Sequence, residues 1–288
     1  MIEEKYKKGL DLLRCPVMPL VSMLRFLFMT GPFATVAEVI AELPEPIVTD
    51  RTDYANPKAL LMQYLDILAG YEQLKTGSFL PVAVVDEENA PVDSFTAVHS
   101  LIVQQVLTRE LESINSAFCA SCGCTLCCTG PERAMAQEFF EIPLEDNETG
   151  LFAAGRYESA ESLCRSAYDE DELQCGERPF YRIEGPGLFH WRKGWSLILP
   201  KESACPNLDG GTGRCLVYNE RPQVCRRPQI FPYMLEPTGH DVKEGGSYRI
   251  RATLLAVVDC PYVRDLQDDL AEYAAACELH LVLKKNKT

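Results

Sequence analysis

Hydrophobic residues recur at helical spacing through the first 118 residues of the chain. One stripe begins just after Pro57, and a longer stripe begins after Asp93 or Ser94, either of which can cap the start of a helix. The first stripe consists of Leu61, Tyr64, Leu68 and Tyr71. The second consists of Phe95, Val98, Ile102, Val106, Leu111, Ile114 and Phe118. The pattern predicts a helical N-terminal region whose last helix leads into a group of cysteines.

The pattern changes after residue 129. Residues 131–144 predict a short helix, 189–200 and 247–260 predict strands, and the segment between those strands is rich in glycine and proline. A last apolar stripe predicts a closing helix and consists of Val263, Leu266, Leu270, Tyr273, Cys277 and Leu281. We therefore predict an α+β protein. A helical region at 1–117 precedes a loop-rich cysteine domain at 118–288 with a small β-sheet and a C-terminal helix, as separate domains or as one continuous globule.

Composition narrows the function classes. The net charge is -14 and the pI is near 4.8, which disfavours nucleic acid as the main partner because phosphate binding needs a basic surface. The first residues lack the apolar core of a signal peptide, and the apolar stretch at 21–43 is interrupted by charges, glycine and proline. We therefore expect a cytoplasmic protein without a membrane span. In a reducing cytoplasm its thirteen cysteines are expected to bind metal or to act in redox chemistry.

Five cysteines lie within ten residues, and they are Cys119, Cys122, Cys124, Cys127 and Cys128. The C-x2-C spacing of the first two lets both thiolates of one turn face one metal. The adjacent thiols of Cys127 and Cys128 diverge from the backbone, so they are expected to serve different irons, different metals, or one ligand plus a neighbour. Four more cysteines follow at Cys205, Cys215, Cys225 and Cys260. Nine sulfurs exceed what one tetrahedral ion can use, which predicts a polynuclear thiolate centre or two separate metals.

At these residues the chain resembles the YkgJ-like cysteine-cluster family, a CxxCxxCC domain described as zinc- or iron-chelating. The first family element is matched by Cys119, Cys122, Gly123, Cys127 and Cys128. A C-x-x-L element is matched at 205–208, and a C-x-x-Y-x-x-R-P-x-x-C-R element by Cys215, Tyr218, Arg221, Pro222, Cys225 and Arg226. Cys260 with Arg264 is similar to a late element. The resemblance covers about 118–264 and leaves 1–117 outside.

The resemblance implies metal binding by the nine clustered cysteines. Cys124 stands, with Thr125 and Leu126, where the family has one residue, so Cys124 is a ligand, a substitute for Cys122 or a spare. Arg221 and Arg226 are candidates for the surroundings of the cofactor, because arginine beside a thiolate-rich centre offsets negative charge. Four further cysteines are not predicted as ligands: Cys15 and Cys277 on apolar faces, and Cys164 and Cys175 in an acidic surface segment.

Three functions fit this pattern. The first is a protein that holds one or two iron–sulfur clusters, with [4Fe–4S] favoured, or zinc, and acts in redox chemistry or electron transfer. The second is a protein-modifying enzyme, because flagellin lysine N-methylases are similar to the family in their cysteine cluster. The third is a structural zinc module whose helical region binds a protein partner. The sequence leaves catalytic residues and substrate unidentified.

Overall fold

The computed structural model describes residues 2–77, 83–227, 229–238 and 247–285. The helices are α1 (Ile2–Leu13), α2 (Met18–Thr30), α3 (Val36–Glu42), α4 (Pro57–Met62), α5 (Leu65–Leu68), α6 (Glu72–Thr76), α7 (Ser94–Cys122), α8 (Gln223–Arg226), α9 (Pro261–Asp265) and α10 (Gln267–Ala276). The strands are β1 (Ile47–Val48), β2 (Asp53–Tyr54), β3 (Ala83–Val85), β4 (Phe139–Leu144), β5 (Gly155–Tyr157), β6 (Gln174–Cys175), β7 (Arg178–Pro179), β8 (Gly187–Trp191), β9 (Gly194–Pro200), β10 (Ile230–Pro237), β11 (Ser247–Val257) and β12 (His280–Lys284). The predicted α+β class is confirmed.

The chain forms two compact units. The first contains Met1–Ser121 and Gln229–Lys284, and the main part of the second is Cys122–Pro228. The sequence pattern predicts a domain boundary between residues 117 and 118, with the C-terminal strands and helix in the same domain as the cysteines. In the structure β3 pairs in parallel with β11, so the N-terminal region and the C-terminal segment share one sheet. The predicted domains, 1–117 and 118–288, stay a prediction.

The first unit is built on α7 and a four-stranded sheet. Asp93 caps α7 as predicted, because its carboxylate accepts hydrogen bonds from the backbone N–H and the hydroxyl of Thr96, at 3.0 and 2.7 Å. The apolar stripe of α7 is buried from Val98 to Phe118, whereas Phe95 at its start is exposed. The sheet has the order β10-β11-β12, with β3 also beside β11, and β10 is antiparallel to β11. The helix and the sheet thus share the core of this unit.

The second unit is built on a four-stranded sheet of order β4-β9-β8-β5. β4 and β8 are antiparallel to β9, and β5 is parallel to β8. Apolar residues cover both faces. One cluster contains Phe180, Phe189 and Trp191, and the other contains Leu144, Leu188, Leu197 and Leu199 with Cys205 packed against it. One face of the sheet therefore packs against Cys205 of the second cysteine block.

Three predicted elements differ from the structure. The helix predicted at 131–144 does not form: 131–138 are irregular with a turn, and 139–144 are strand β4, which pairs with β9 over its whole length. The strand predicted at 189–200 is a hairpin, since β8 and β9 pair on either side of a turn at 192–193. The closing helix stops at Ala276, and Glu278 adopts a positive φ of 58°. Leu281 therefore lies in β12 and not on the helix.

The segment Glu3–Thr30 is long and apolar enough to cross a membrane by length and composition, and 44% of its most apolar window is buried. The structure divides this segment into α1 and α2, which are separated by the turn at 14–17. Val21, Leu24 and Phe28 of α2 are fully buried in the first unit. These residues of α2 therefore belong to the core of the first unit.

Candidate metal centre

The first cysteine block begins where α7 ends. Cys122 is the last residue of the helix, and Gly123 follows it with φ of 69°, a left-handed conformation that ends helices readily. The chain then turns at 125–128, where the N–H of Cys128 donates to the carbonyl of Thr125 at 2.8 Å. This turn leaves Cys127 exposed and Cys128 half-buried.

A close backbone contact joins this turn to the segment after β9. The N–H of Cys205 donates to the carbonyl of Cys128 at 2.8 Å, and the N–H of Gly130 donates to the carbonyl of Ser203 at 2.9 Å. A Cβ atom on Gly130 would lie 1.9 Å from the carbonyl oxygen of Pro200, so a side chain does not fit here. The backbone therefore places the first cysteine block directly beside the second.

A short irregular hairpin brings Cys205 and Cys215 to the same end of their loop. Leu208 pairs with Cys215, and the N–H of Leu216 donates to the carbonyl of Asn207 at 2.8 Å. The hairpin turns at Gly213, whose φ of 67° suits glycine. The glycine-rich loop that the sequence placed between these two cysteines therefore serves to turn the chain.

The arginine of the R-P-x-x-C-R element supports the loop that carries Cys225. Arg221 is only 6% exposed, and its Nε donates to the carbonyl of Tyr218 at 2.9 Å. Its Nη1 donates to the carbonyl of Cys225 at 3.4 Å, and its guanidinium lies over the Tyr218 ring. The Nε of Arg226 donates in turn to the carbonyl of Arg221 at 2.8 Å. Both arginines, predicted to surround a cofactor, are thus held by backbone carbonyls of this loop.

The thiols of Cys128, Cys205 and Cys225 interact electrostatically with neighbouring thiols, and the five thiols involved are those of Cys127, Cys128, Cys205, Cys215 and Cys225. We call them the five-thiol cluster. Burial raises the pKa of Cys128, and the other four thiols raise it further. Burial also raises the pKa of Cys225 to about 12, with further increases from neighbouring thiols and an opposing effect of Arg221. Burial raises the pKa of Cys205, partly offset by a backbone hydrogen bond from Asn207. The cluster therefore favours protonated thiols until a cation compensates for the thiolate charge.

The donor chemistry of the five-thiol cluster fits a thiophilic metal ion or an iron–sulfur cluster, because both take cysteine thiolates. Among the described residues, no group of three or more Cys, His, Asp or Glu side chains has the geometry of a formed metal site. The thiols are the ligand type that these metals take and they lie near one another, but their side chains do not converge on a common point. They must rotate and lose protons to close around a metal.

Comparison with known proteins agrees with this donor set. Residues 118–245 match the family model named CxxCxxCC, whose description is "Putative zinc- or iron-chelating domain". We call residues 118–245 the CxxCxxCC domain after this match. No curated protein and no solved structure matches the chain significantly. The match supports chelation of zinc or iron by this part of the chain, which includes the whole five-thiol cluster.

The other cysteines occupy several environments. Cys122 and Cys124 are half-buried in the CxxCxxCC domain, beside the turn that carries Cys127. Cys119 lies half-buried on α7 in the first unit. Cys260, also in the first unit, is 1% exposed at the start of α9 and lies beyond the family match. The prediction that these four residues are ligands stays a prediction.

The cysteines that were not predicted as ligands also have distinct surroundings. Cys277 is buried beside Tyr273, as expected for a core thiol, and burial raises its pKa. Cys15 is half-buried in the same unit. Cys164 is exposed, and Cys175 packs partly against the aromatic cluster of the second unit. Among these four, Cys277 and the exposed Cys164 offer useful controls for metal measurements.

Two supports of the site have no signal in the sequence. The carboxylate of Glu148 accepts a hydrogen bond of 2.7 Å from the N–H of Gln223 at the start of α8. The side-chain amide of Asn207 donates to the carbonyl of Leu151 at 3.0 Å. Both contacts join the acidic segment after β4 to a cysteine loop, over separations of 75 and 56 residues. A local pattern cannot show a contact that the fold makes across such distances in sequence.

Proposed function

We propose that this protein holds an iron–sulfur cluster of the [4Fe–4S] type in its CxxCxxCC domain and uses it in redox chemistry or electron transfer. The ligands are four thiolates of the five-thiol cluster. The cofactor would supply one-electron redox chemistry, whereas the chain positions the sulfurs and sets their electrostatic surroundings. The observation that carries the proposal is the proximity of five thiols from three loops, the first two of which are joined by backbone hydrogen bonds.

Five thiols supply the four cysteine ligands of a cubane cluster, as they would those of a single zinc ion, and leave one over. A structural zinc ion takes four ligands in a tetrahedral arrangement, so five interacting thiols leave at least one unused. Four cysteines satisfy a cubane cluster, and the fifth then modulates the site or replaces a ligand. Arg221 lies close enough to lower the pKa of Cys225, which is the direction that favours a thiolate ligand.

The surroundings of the site also suit a redox centre. Hydrogen bonds and positive charge near the sulfurs are the means by which a protein adjusts the potential of such a cluster. Cys127 is exposed, and Leu216 and Val224, which follow and precede two of the candidate ligands, are also exposed. A centre placed in this way would lie near the surface, where an electron-transfer partner can approach. A cytoplasmic location belongs to this proposal, because a reducing compartment keeps the thiols available.

Anaerobic purification followed by visible absorption, metal analysis and acid-labile sulfide analysis tests the proposal. We expect a brown protein with broad visible absorption, about four irons and about four sulfides per chain. A colourless protein with stoichiometric zinc and no sulfide would contradict it and favour the structural zinc module. The alternative of a flagellin lysine N-methylase type enzyme needs a separate assay for methyl transfer to protein lysine.

A further inference from the structure

The first unit contains a cleft that lies outside the CxxCxxCC domain. It has a volume of about 690 Å³ and is bounded by the end of α1, the turn between β1 and β2, and one face of α10. Leu13, Pro16 and three alanines of α10 provide its apolar surface. Binding sites for small molecules commonly enclose about 300 to 1,000 Å³, with a mostly apolar lining and a few polar groups. The cleft therefore has the size of a small-molecule site, and its lining combines apolar side chains with charged ones.

The walls of this cleft are held by contacts within the first unit. The hydroxyl of Thr52 donates to the carbonyl of Arg14 at 3.0 Å, and the hydroxyl of Tyr54 donates to the carbonyl of Pro16 at 2.7 Å. These two bonds attach the β1–β2 turn to the end of α1. Arg14 donates to Asp269 of α10 through Nε and Nη2, at 3.1 and 3.0 Å. The three walls are thus tied together and the cleft is part of the fold.

Two charged side chains in the lining have no charged partner among the described residues. Arg14 is paired with Asp269 and Glu3. Arg51 and Glu272 are both exposed, and neither side chain forms an ion pair or hydrogen bond within the described part of the chain. They line the same cleft from different walls without reaching the 4.0 Å of an ion pair. A ligand with both charges can satisfy the two groups at once.

We propose that this cleft binds a small zwitterion of the amino-acid class with an apolar side chain. Arg51 binds its carboxylate, since guanidinium presents paired donors that match a carboxylate. Glu272 binds its ammonium group, and the apolar side chain packs on the alanines of α10. Ala275 is exposed in the lining, so the ligand can reach the surface of the helix. This site is independent of the metal centre and of its proposed function.

Isothermal titration calorimetry on the full chain tests the proposal with three matched probes. L-leucine carries both charges, 4-methylpentanoate lacks the ammonium group, and 3-methylbutylamine lacks the carboxylate. We expect leucine to bind at least about tenfold more tightly than either analogue, because each analogue leaves one charged group of the cleft without its partner. Equal affinities for all three probes, or no heat with leucine up to millimolar concentration, would overturn the proposal.

Variants locate the binding site. Arg51→Gln should weaken leucine binding about tenfold or more, as should Glu272→Gln, and Ala275→Leu should abolish it by filling the cleft. Glu42→Gln and Arg133→Gln are the matched controls, since both residues are exposed and neither lines the cleft. Wild-type affinity in both charge variants, or in Ala275→Leu, would overturn the site. Circular dichroism of each variant establishes that it is folded before it is titrated.

Discussion

The guanidinium carbon of Arg221 lies 3.7 Å from the centre of the Tyr218 ring. This stacking buries the charge while the same side chain donates hydrogen bonds to two backbone carbonyls. Arg221 therefore connects the beginning and the end of the loop between Cys215 and Cys225. It sets the position of Cys225 and partly offsets the rise in the pKa of that thiol that burial causes.

Replacing Arg221 should destabilise the CxxCxxCC domain. Arg221→Ala removes a buried cation–π contact worth about 1–2 kcal/mol and leaves two carbonyls with weaker hydrogen bonding. We expect a loss of about 3 kcal/mol in the free energy of unfolding together with lower metal content. Urea titration and metal analysis measure both. Arg133→Ala is the control at an exposed arginine, and equal behaviour of the two variants would refute the bracing role.

Arg226 should act mainly through the backbone of Arg221. Its Nε donates to the Arg221 carbonyl at 2.8 Å, so Arg226→Gln loses a bond worth about 1 kcal/mol. We expect a lower melting temperature and reduced metal occupancy. If Arg226 instead acts through its charge alone, the variant keeps its metal and only the reduction potential falls. Potentiometry and calorimetry on this single variant distinguish the two roles.

Gly130 should be intolerant of a side chain. A Cβ atom would lie 1.9 Å from the carbonyl oxygen of Pro200, so Gly130→Ala must displace the backbone that places Cys128 beside Cys205. Overpacking of this kind costs about 1–3 kcal/mol. Gly210→Ala is the matched control, because a Cβ there meets no atom within 4 Å. Thermal melts and metal content of the pair check this prediction, and a Gly130→Ala protein that matches Gly210→Ala would contradict it.

Glu110 should make the stability of the first unit depend on pH. The residue is buried on α7, where burial raises its pKa to about 7 despite hydrogen bonds from the N–H of Val17 and the hydroxyl of Tyr273. A raised pKa means that the folded state holds the proton more tightly than the unfolded state. The stabilisation is therefore complete below about pH 4.5 and is lost as the pH rises towards 7, by about 3 kcal/mol.

Glu110→Gln should remove this pH dependence, because glutamine does not ionise. Urea titrations at several values between pH 4.5 and 7.5 measure it, and Glu42→Gln serves as the exposed control. A wild-type slope that persists in Glu110→Gln would show that other groups cause the dependence.

The sequence predicts much of the fold where one local pattern decides the outcome. The apolar stripe of α7 and its Asp93 cap are local, and both were predicted. Residues 139–144 were misassigned because their partner β9 lies more than 50 residues away. Glu110 interrupts the stripe of α7, and that interruption was the available signal for a buried acid. Pairing and burial depend on contacts between distant segments, which periodicity cannot supply.

In the candidate site, too, local motifs could be predicted from the sequence and long-range contacts could not. Motif spacing singled out all five thiols and both arginines. It could not show that Arg221 binds backbone carbonyls or that Glu148 holds the start of α8, because these contacts depend on how the loops close. Nor could it identify the cleft near α10, which is formed by three segments with no shared motif.

Metal content per chain in three serine variants tests the central claim, that the five-thiol cluster holds the metal. Cys127→Ser and Cys215→Ser each remove a sulfur from the cluster, whereas Cys277→Ser removes a buried thiol beside Tyr273 in the first unit. Anaerobically purified wild-type protein and Cys277→Ser should contain equal metal, and the two cluster variants should contain less than about half of it. Equal metal in all three variants, or its loss from Cys277→Ser alone, would contradict the claim.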